Sequence, residues 1–337
     1  MKKLAVVGLV AALSFGLALS WQEGWNLVAK AQRGDVKAVE ALVEAYKGGD
    51  AEAAAAIGVL YMSGFAYPRD YGKALEYLSW ARSKGSGWAS AMLALMYDFG
   101  LGVPRDEKRA LDLIRESAAQ GYPGGVAMKS IAYILGAEGK PTDEGLSQAV
   151  AAIVQAASTG DPLALNNLAR LYFSGLEKQG IPRDWAKAAR LFEESYAKGY
   201  LPAALRLVPI YYYGYGVPPD QAKAVALAER LKGFGSTFVG EAYLASAYYF
   251  GVGGKPKDPK TACQLAEVSR SNPQGSAVYG LCLLEGHLPG GRVQGYAWLL
   301  KAAGTGNDLA TSLVKEWEKR LSADEREQAK RLVADLK

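Results

Sequence analysis

The sequence predicts an all-α protein, a solenoid of stacked helical hairpins, and three observations predict it. The first is a Tyr-x-x-Gly motif at Tyr61/Gly64, Tyr97/Gly100, Tyr133/Gly136, Tyr172/Gly175, Tyr211/Gly214 and Tyr248/Gly251, with glycines 36, 36, 39, 39 and 37 residues apart. A seventh, weaker copy ends 35 residues later at Gly286, with Leu283 in the tyrosine position. The second is an acid after each of the first six glycines: Asp70, Asp106, Asp143, Asp184, Asp220 and Asp258, with Gly291 in that place in the seventh. The third is a second glycine fifteen residues after the aspartate, at Gly85, Gly121, Gly199 and Gly235. A unit of about 36 residues cannot bury its apolar stripe alone, whereas stacked units bury one continuous core.

The elements follow in chain order. Residues 1–20, "MKKLAVVGLVAALSFGLALS", carry Lys2 and Lys3, then an apolar run from Leu4 to Leu19, then Ala18-Leu19-Ser20 ahead of Trp21. Basic start, apolar middle and small residues at the end make a secretory signal. An uncleaved anchor is the competing reading, but the run of 16 residues is shorter than the ~20 a spanning helix needs. No cysteine follows the run, so a lipoprotein is not indicated. Residues 21–50 hold Gly34-Asp35 and Gly49-Asp50 and read as an N-terminal capping hairpin.

Residues 51–306 are the array. In each copy a helix with apolar and small residues on one face, as in Leu93-Ala94-x-x-Tyr97, is closed by the glycine, which can adopt the left-handed conformation of a helix end. Proline then holds the chain extended, and the aspartate caps a second helix. Four residues on stands a small residue, Ala74, Ala110, Ala188, Ala224 or Ala262, where two helices approach closely; copy three has Ser147 there. Residues 307–337 read as two polar capping helices, the second opened by the capping box Ser322-x-x-Glu325. No stretch rich in Pro, Gly or Ser divides the array.

The pattern Leu-Gly/Ala-x-x-Tyr-x-x-Gly-x-Gly-Val-Pro-x-Asp-x-x-Lys/Arg-Ala, clearest in "LALMYDFGLGVPRDEKRA" and "LVPIYYYGYGVPPDQAKA", resembles the Sel-1-like repeats, relatives of the tetratricopeptide repeat. The resemblance implies a right-handed α-solenoid of about seven such repeats that acts as an adaptor or scaffold for other proteins. It implies no shared catalytic residues. In tetratricopeptide-like arrays the first helices line a concave face, at the positions just after the repeat tyrosine and those two and six before it. Here the face selected on that basis consists of Phe99, Asn166, Arg170, Phe173, Tyr212, Tyr213, Tyr249 and Phe250. Rings with one Arg and one Asn suit a peptide groove, where the rings supply area and the polar groups fix register. The alternative is that half of these rings pack between hairpins. Pro209, inside the first helix of copy five, should kink that helix or delay its start.

Chemistry has little foothold. The net charge of +5 is spread without basic blocks, which disfavours nucleic acid. The one histidine, His287, sits in a turn, and no Cys/His cluster has zinc spacing, so neither metal nor cofactor is expected. The repeat aspartates are too far apart to share an ion and read as caps. The resembled family also has secreted members proposed to bind penicillins. Ser-x-x-Lys does occur at Ser195/Lys198 and Ser312/Lys315, but the partner motifs are missing and only Lys260-Thr261-Ala262 stands near one of them.

Cys263, early in one helix, and Cys282, late in the next, are equidistant from the turn "SNPQ" at 271–274, which places them opposite each other. In an exported chain that predicts a disulfide closing about 20 residues, worth ~3 kcal/mol; two buried thiols are the alternative. The sequence thus predicts a non-catalytic scaffold, periplasmic, in the cell envelope or extracellular, that holds a protein or peptide partner. A binder of cell-wall glycan or muropeptide is the second class and a penicillin-interacting hydrolase the third.

Overall fold

A computed structural model of the chain describes residues 18–336. The expected signal falls outside the described residues up to position 17. The chain divides into two compact units, one ending at Ala203 and one running from Ala204. Among the described residues there are 18 α-helices and no strand beyond an isolated bridge, Leu176 to Ile181.

Unit 1 pairs α1 (Trp21–Gln32) with α2 (Val36–Lys47), α3 (Ala51–Ser63) with α4 (Tyr71–Ser83), α5 (Gly87–Phe99) with α6 (Glu107–Ala119), α7 (Pro123–Ile134) with α8 (Asp143–Ser158), and α9 (Pro162–Ser174) with α10 (Trp185–Ala197). Unit 2 pairs α11 (Ala204–Tyr213) with α12 (Gln221–Leu231), α13 (Val239–Phe250) with α14 (Pro259–Val268), α15 (Pro273–Leu284) with α16 (Gly291–Ala303), and α17 (Asp308–Trp317) with α18 (Ala323–Leu332).

The hairpins form for the local reasons the sequence supplies. Gly64, Gly100, Gly136, Gly175, Gly214, Gly251 and Gly286 all have φ between +65 and +81, the region that costs a side chain with Cβ most. Asp70, Asp106, Asp184, Asp220 and Asp258 each accept from a backbone N–H three residues on. The backbone N–H of each of these aspartates also donates to the carbonyl of its own repeat tyrosine, at 2.8–3.1 Å. That bond closes the turn at its base. The five column alanines are buried.

One copy departs from expectation. In copy three the cap is Thr142, whose hydroxyl accepts from the Gly145 N–H, and Asp143 is the first helical residue. Thr142 stands nine residues after Tyr133, as Asp70 does after Tyr61, so offset selects the cap and a hydroxyl serves as well as an acid. Leu146 therefore takes the alanine position, and Ser147 points to solvent. The repeat tyrosines, on the apolar face of the first helices, are half-buried except Tyr211. Three of the rings lie under the lysine that follows the cap by three: Lys187 Nζ is 4.0 Å from the Tyr172 centroid, Lys223 Nζ 4.0 Å from Tyr211 and Lys73 Nζ 5.1 Å from Tyr61.

Pro209 lies within α11, which begins late, after a 3-10 turn at Leu201–Ala203. Copy five also ends early: α12 stops at Leu231, ahead of Gly235. Cys263 and Cys282 are bonded, with Cα atoms 5.9 Å apart, inside a core that also holds Ala262, Leu281, Leu299 and Trp317. Ser322 and Glu325 form the capping box of α18.

Candidate functional site

In unit 1, α5 carries Phe99, its last residue, half-buried, and α9 carries the other three expected contacts. Asn166 is buried at 9% exposure. Arg170 is half-buried, and Nη1 donates to Asn167 Oδ1 at 3.3 Å. Burial pulls its guanidinium pKa down, while the fields of Tyr200 and Asp98 oppose this. Phe173 packs 6.2 Å from Trp185, whose indole N–H donates to the Phe173 carbonyl.

The same helical stripe on α5 continues from Asp98 through Leu95 and Ala91 to Trp88, and there α1 covers it. Trp25 of α1 is 3% exposed, with its ring 4.6 Å from Trp88 and 6.4 Å from Tyr200. Its indole N–H donates to the Tyr122 hydroxyl at 3.0 Å. Trp21 sets its edge against Tyr122. The approach requires Gly24, since a Cβ there would stand 2.5 Å from the Trp88 ring. At the far end of α1, Val28 meets Gly199, where a Cβ would again be too close, at 2.6 Å.

Two acids flank Tyr122, Asp161 buried and Glu52 half-buried. Asp161 caps α9 through the Ala164 N–H and faces the Tyr122 hydroxyl; burial pushes its carboxyl up to about 6. Glu52 accepts from the Ser86 hydroxyl at 2.9 Å, and burial pushes it up to about 7. Tyr122 and Tyr200 are themselves raised by burial. None of these side chains was a sequence candidate. The readable signal was Trp21 and Trp25, one turn apart with Gly24 beside them, on a segment taken only as a cap.

In unit 2, Tyr212 and Tyr249 are buried, Tyr213 is half-buried and Phe250 is 40% exposed. Tyr212 packs edge-on at 5.2 Å against buried Tyr243, and Tyr213 lies 5.6 Å from Tyr215. A side-chain amide ties the group together. Gln274 Oε1 accepts from the Tyr213 hydroxyl at 2.5 Å and from Asn307 Nδ2 at 2.9 Å, and its Nε2 donates to Ser246 Oγ at 2.7 Å. Tyr215 donates to Asp308. Burial pushes the Tyr212 phenol up to about 12 and raises Tyr213 further. Tyr249 donates to Glu285 at 2.6 Å, beside Phe250 and His287. Tyr215, Tyr243, Gln274, Asn307 and Asp308 were missed because the face was sought in a few columns set from the repeat tyrosine, whereas Gln274, Asn307 and Asp308 stand at helix starts.

The sites weighed for chemistry have structural partners. Ser195 is fully buried and its hydroxyl donates to the Pro162 carbonyl at 2.6 Å, as Ser117 does to Gly87. Each such bond ties the second helix of a hairpin to the start of its first. His287 stands 3.6 Å from Glu285. Among the described residues no group of His, Cys, Asp and Glu is placed to hold a metal ion.

A protein-family model described as Sel1 repeat matches residues 51–86, 89–122, 162–200, 210–231, 239–268 and 275–307, more than half of the chain. Copy three, with its shifted cap, lies outside those matches. Among solved structures, the chain is similar to a protective antigen present in uropathogenic Escherichia coli strains displaying an SLR fold, at 22% identity over 93% of this chain and 67% of that one, with a TM-score of 0.46. It is also similar to a Sel1 repeat protein from Oxalobacter formigenes, at 23% identity over 92% of this chain and 90% of that one, with a TM-score of 0.41. No curated protein matches it.

Proposed function

The chain belongs to the Sel1 repeat family, and on that premise we propose that it is an exported, non-catalytic scaffold holding a protein or peptide partner on the tyrosine face of unit 2. Sel1 repeats typically mediate protein–protein interaction. Export is supported by the signal-like N-terminal segment and by the Cys263–Cys282 bond, which an oxidising compartment preserves. Among the described residues no helix is long and apolar enough to cross a membrane.

One observation carries the choice of face. Unit 2 presents Tyr213, held from below by the buried Gln274 amide and flanked by Tyr215 with its partner Asp308, and separately Phe250 against Tyr249, whereas the face of unit 1 at Trp88 is already occupied by α1. Rings held in one rotamer bind without a large ordering cost, and polar groups already oriented fix the register of a bound backbone. Tyr212 and Tyr249 serve as the packed floor of this face. Arg170, Phe173 and Phe99 belong to unit 1, and the proposal gives them no primary role.

Affinity capture from an envelope extract tests it. The wild-type chain should retain a protein that Phe250→Asp, and more completely Phe250→Asp with Tyr213→Ser, fails to retain, while helicity and melting of the single variant are unchanged. Equal capture by the variants overturns the assignment of the face. Retention of purified cell-wall glycan, lost in the same variants, would make sugar the ligand instead.

A further inference from the structure

The start of α1 shows where the leader ends. Ala18 is exposed, but Leu19 is buried at 5% exposure. Its backbone N–H donates to Asp50 Oδ2 at 2.6 Å, while Asp50 Oδ1 caps α3 through the Ala53 N–H at 2.8 Å. Ser20 is the N-cap of α1 and completes a capping box with Glu23. Residues 19 and 20 are therefore built into the folded unit from both sides, by burial and by hydrogen bonding.

The cut expected from Ala18-Leu19-Ser20 falls before Trp21, and it would remove a buried side chain, the helix cap and the donor to Asp50 together. We propose instead that the chain is processed between Ala18 and Leu19, so that the new amino terminus pairs with Asp50. This rests on the export reading above. The small residues a leader peptidase requires are present in that register, Gly16 at the third position before the bond and Ala18 at the first. Hydrolysis adds one water to the Ala18–Leu19 amide: the leader leaves with the Ala18 carboxylate, and Leu19 keeps the nitrogen as an amine, which takes up a proton at neutral pH.

The consequence reaches the covered face of unit 1. Before the cut, a neutral amide N–H meets Asp50. After it, an ammonium does, and the hydrogen bond to the carboxylate becomes an ion pair as well. The bond ties the first turn of α1 to the start of α3, and α1 is the helix whose Trp25 fills the face of unit 1. Processing thus does more than release the protein. It seats α1.

The test uses the full chain with a C-terminal tag, expressed in a bacterial host that exports it, with intact mass and N-terminal sequencing of the product. A soluble exported chain beginning at Leu19 is the expected result. One beginning at Trp21, or at any other residue, overturns the placement and leaves export standing; an uncut chain in the membrane fraction overturns export and this inference with it. Asp50→Asn keeps a capping oxygen for α3 but removes the carboxylate, so hydrogen exchange at the α1 amides of the processed chain should quicken about tenfold. Unchanged exchange overturns the seating role.

Discussion

Unit 1 and unit 2 are written in the same repeat grammar, and they finish their first-helix faces in opposite ways. Unit 1 covers its face with an added helix, through Trp25 on Trp88 with a glycine to allow the approach. Unit 2 knits its face from its own hydroxyls and amides, Tyr213 to Gln274 to Ser246, and adds a covalent tie deeper in its core. The repeat punctuation leaves the face residues free to vary. An apolar face needs a cover, because exposed indole and Leu surface favours association. A face of tyrosines bonded to amides can stay accessible with its polar atoms satisfied.

Removing the cover should be the largest single lesion. Trp25→Ala leaves a cavity at Trp88 and takes one donor from the Tyr122 hydroxyl, and should destabilise unit 1 by about 3–5 kcal/mol, read as faster hydrogen exchange in α1, α5 and α7. A loss below about 1 kcal/mol would mean that α1 is only laid on the face. In unit 2 the matching lesion is covalent: Cys263→Ser with Cys282→Ser should cost about 3 kcal/mol in denaturant, with the tyrosine face still assembled by near-UV dichroism.

A pH series separates the two regions without a large lesion. Glu52 and Asp161 in unit 1 have carboxyls raised by burial, to about 7 and about 6. Folding therefore favours their protonated forms. Their contribution is fully present below the ordinary carboxylate range, is lost as pH rises through those values, and is level above about 7. Glu52→Gln should flatten the fall in melting temperature between pH 4.5 and 7, a change on the order of 2 kcal/mol in unit 1. Tyr213→Phe in unit 2 should leave that slope as it is. The smallest effect expected is at the surface of unit 1, where Arg82 makes two 2.7 Å bonds to Glu116. Arg82→Ala should cost about 0.5–1 kcal/mol, less at high salt.

The fold was legible because its signals are local. A glycine at positive φ, a cap and an alanine column are each satisfied within one hairpin, so their spacing alone placed most helices. Copy three shows the limit of that method: matching by residue type selected Asp143, while backbone offset selects Thr142. The disulfide was legible for the same reason, since two positions equidistant from a turn meet in an antiparallel pair. The face was only half legible. Tyr212 and Tyr249 fall in the expected columns but are buried, because a column gives direction from the helix axis and not the distance to the neighbouring hairpin. The docking of α1 was legible only as the Trp21, Gly24 and Trp25 stripe, without its destination. Nothing within residues 21–32 records that Trp88, Tyr122 and Tyr200 converge from three separate copies.

The bond from the aspartate N–H to the tyrosine carbonyl also bears on how such a chain can be rebuilt. Copy four has twelve residues from Tyr172 to Asp184 where copy two has nine from Tyr97 to Asp106, yet the bond is 2.8 Å against 3.0 Å. The extra residues are taken up by a short 3-10 turn, Glu177–Gln179, pinned by Leu176 and Ile181. Each of the five hairpins with an aspartate cap is clasped at its base. A tag, a reporter or a foreign epitope inserted at an exposed residue between the glycine and the aspartate, such as Lys178 of copy four, should be carried by the loop, which makes that repeat a graft port for engineering the array.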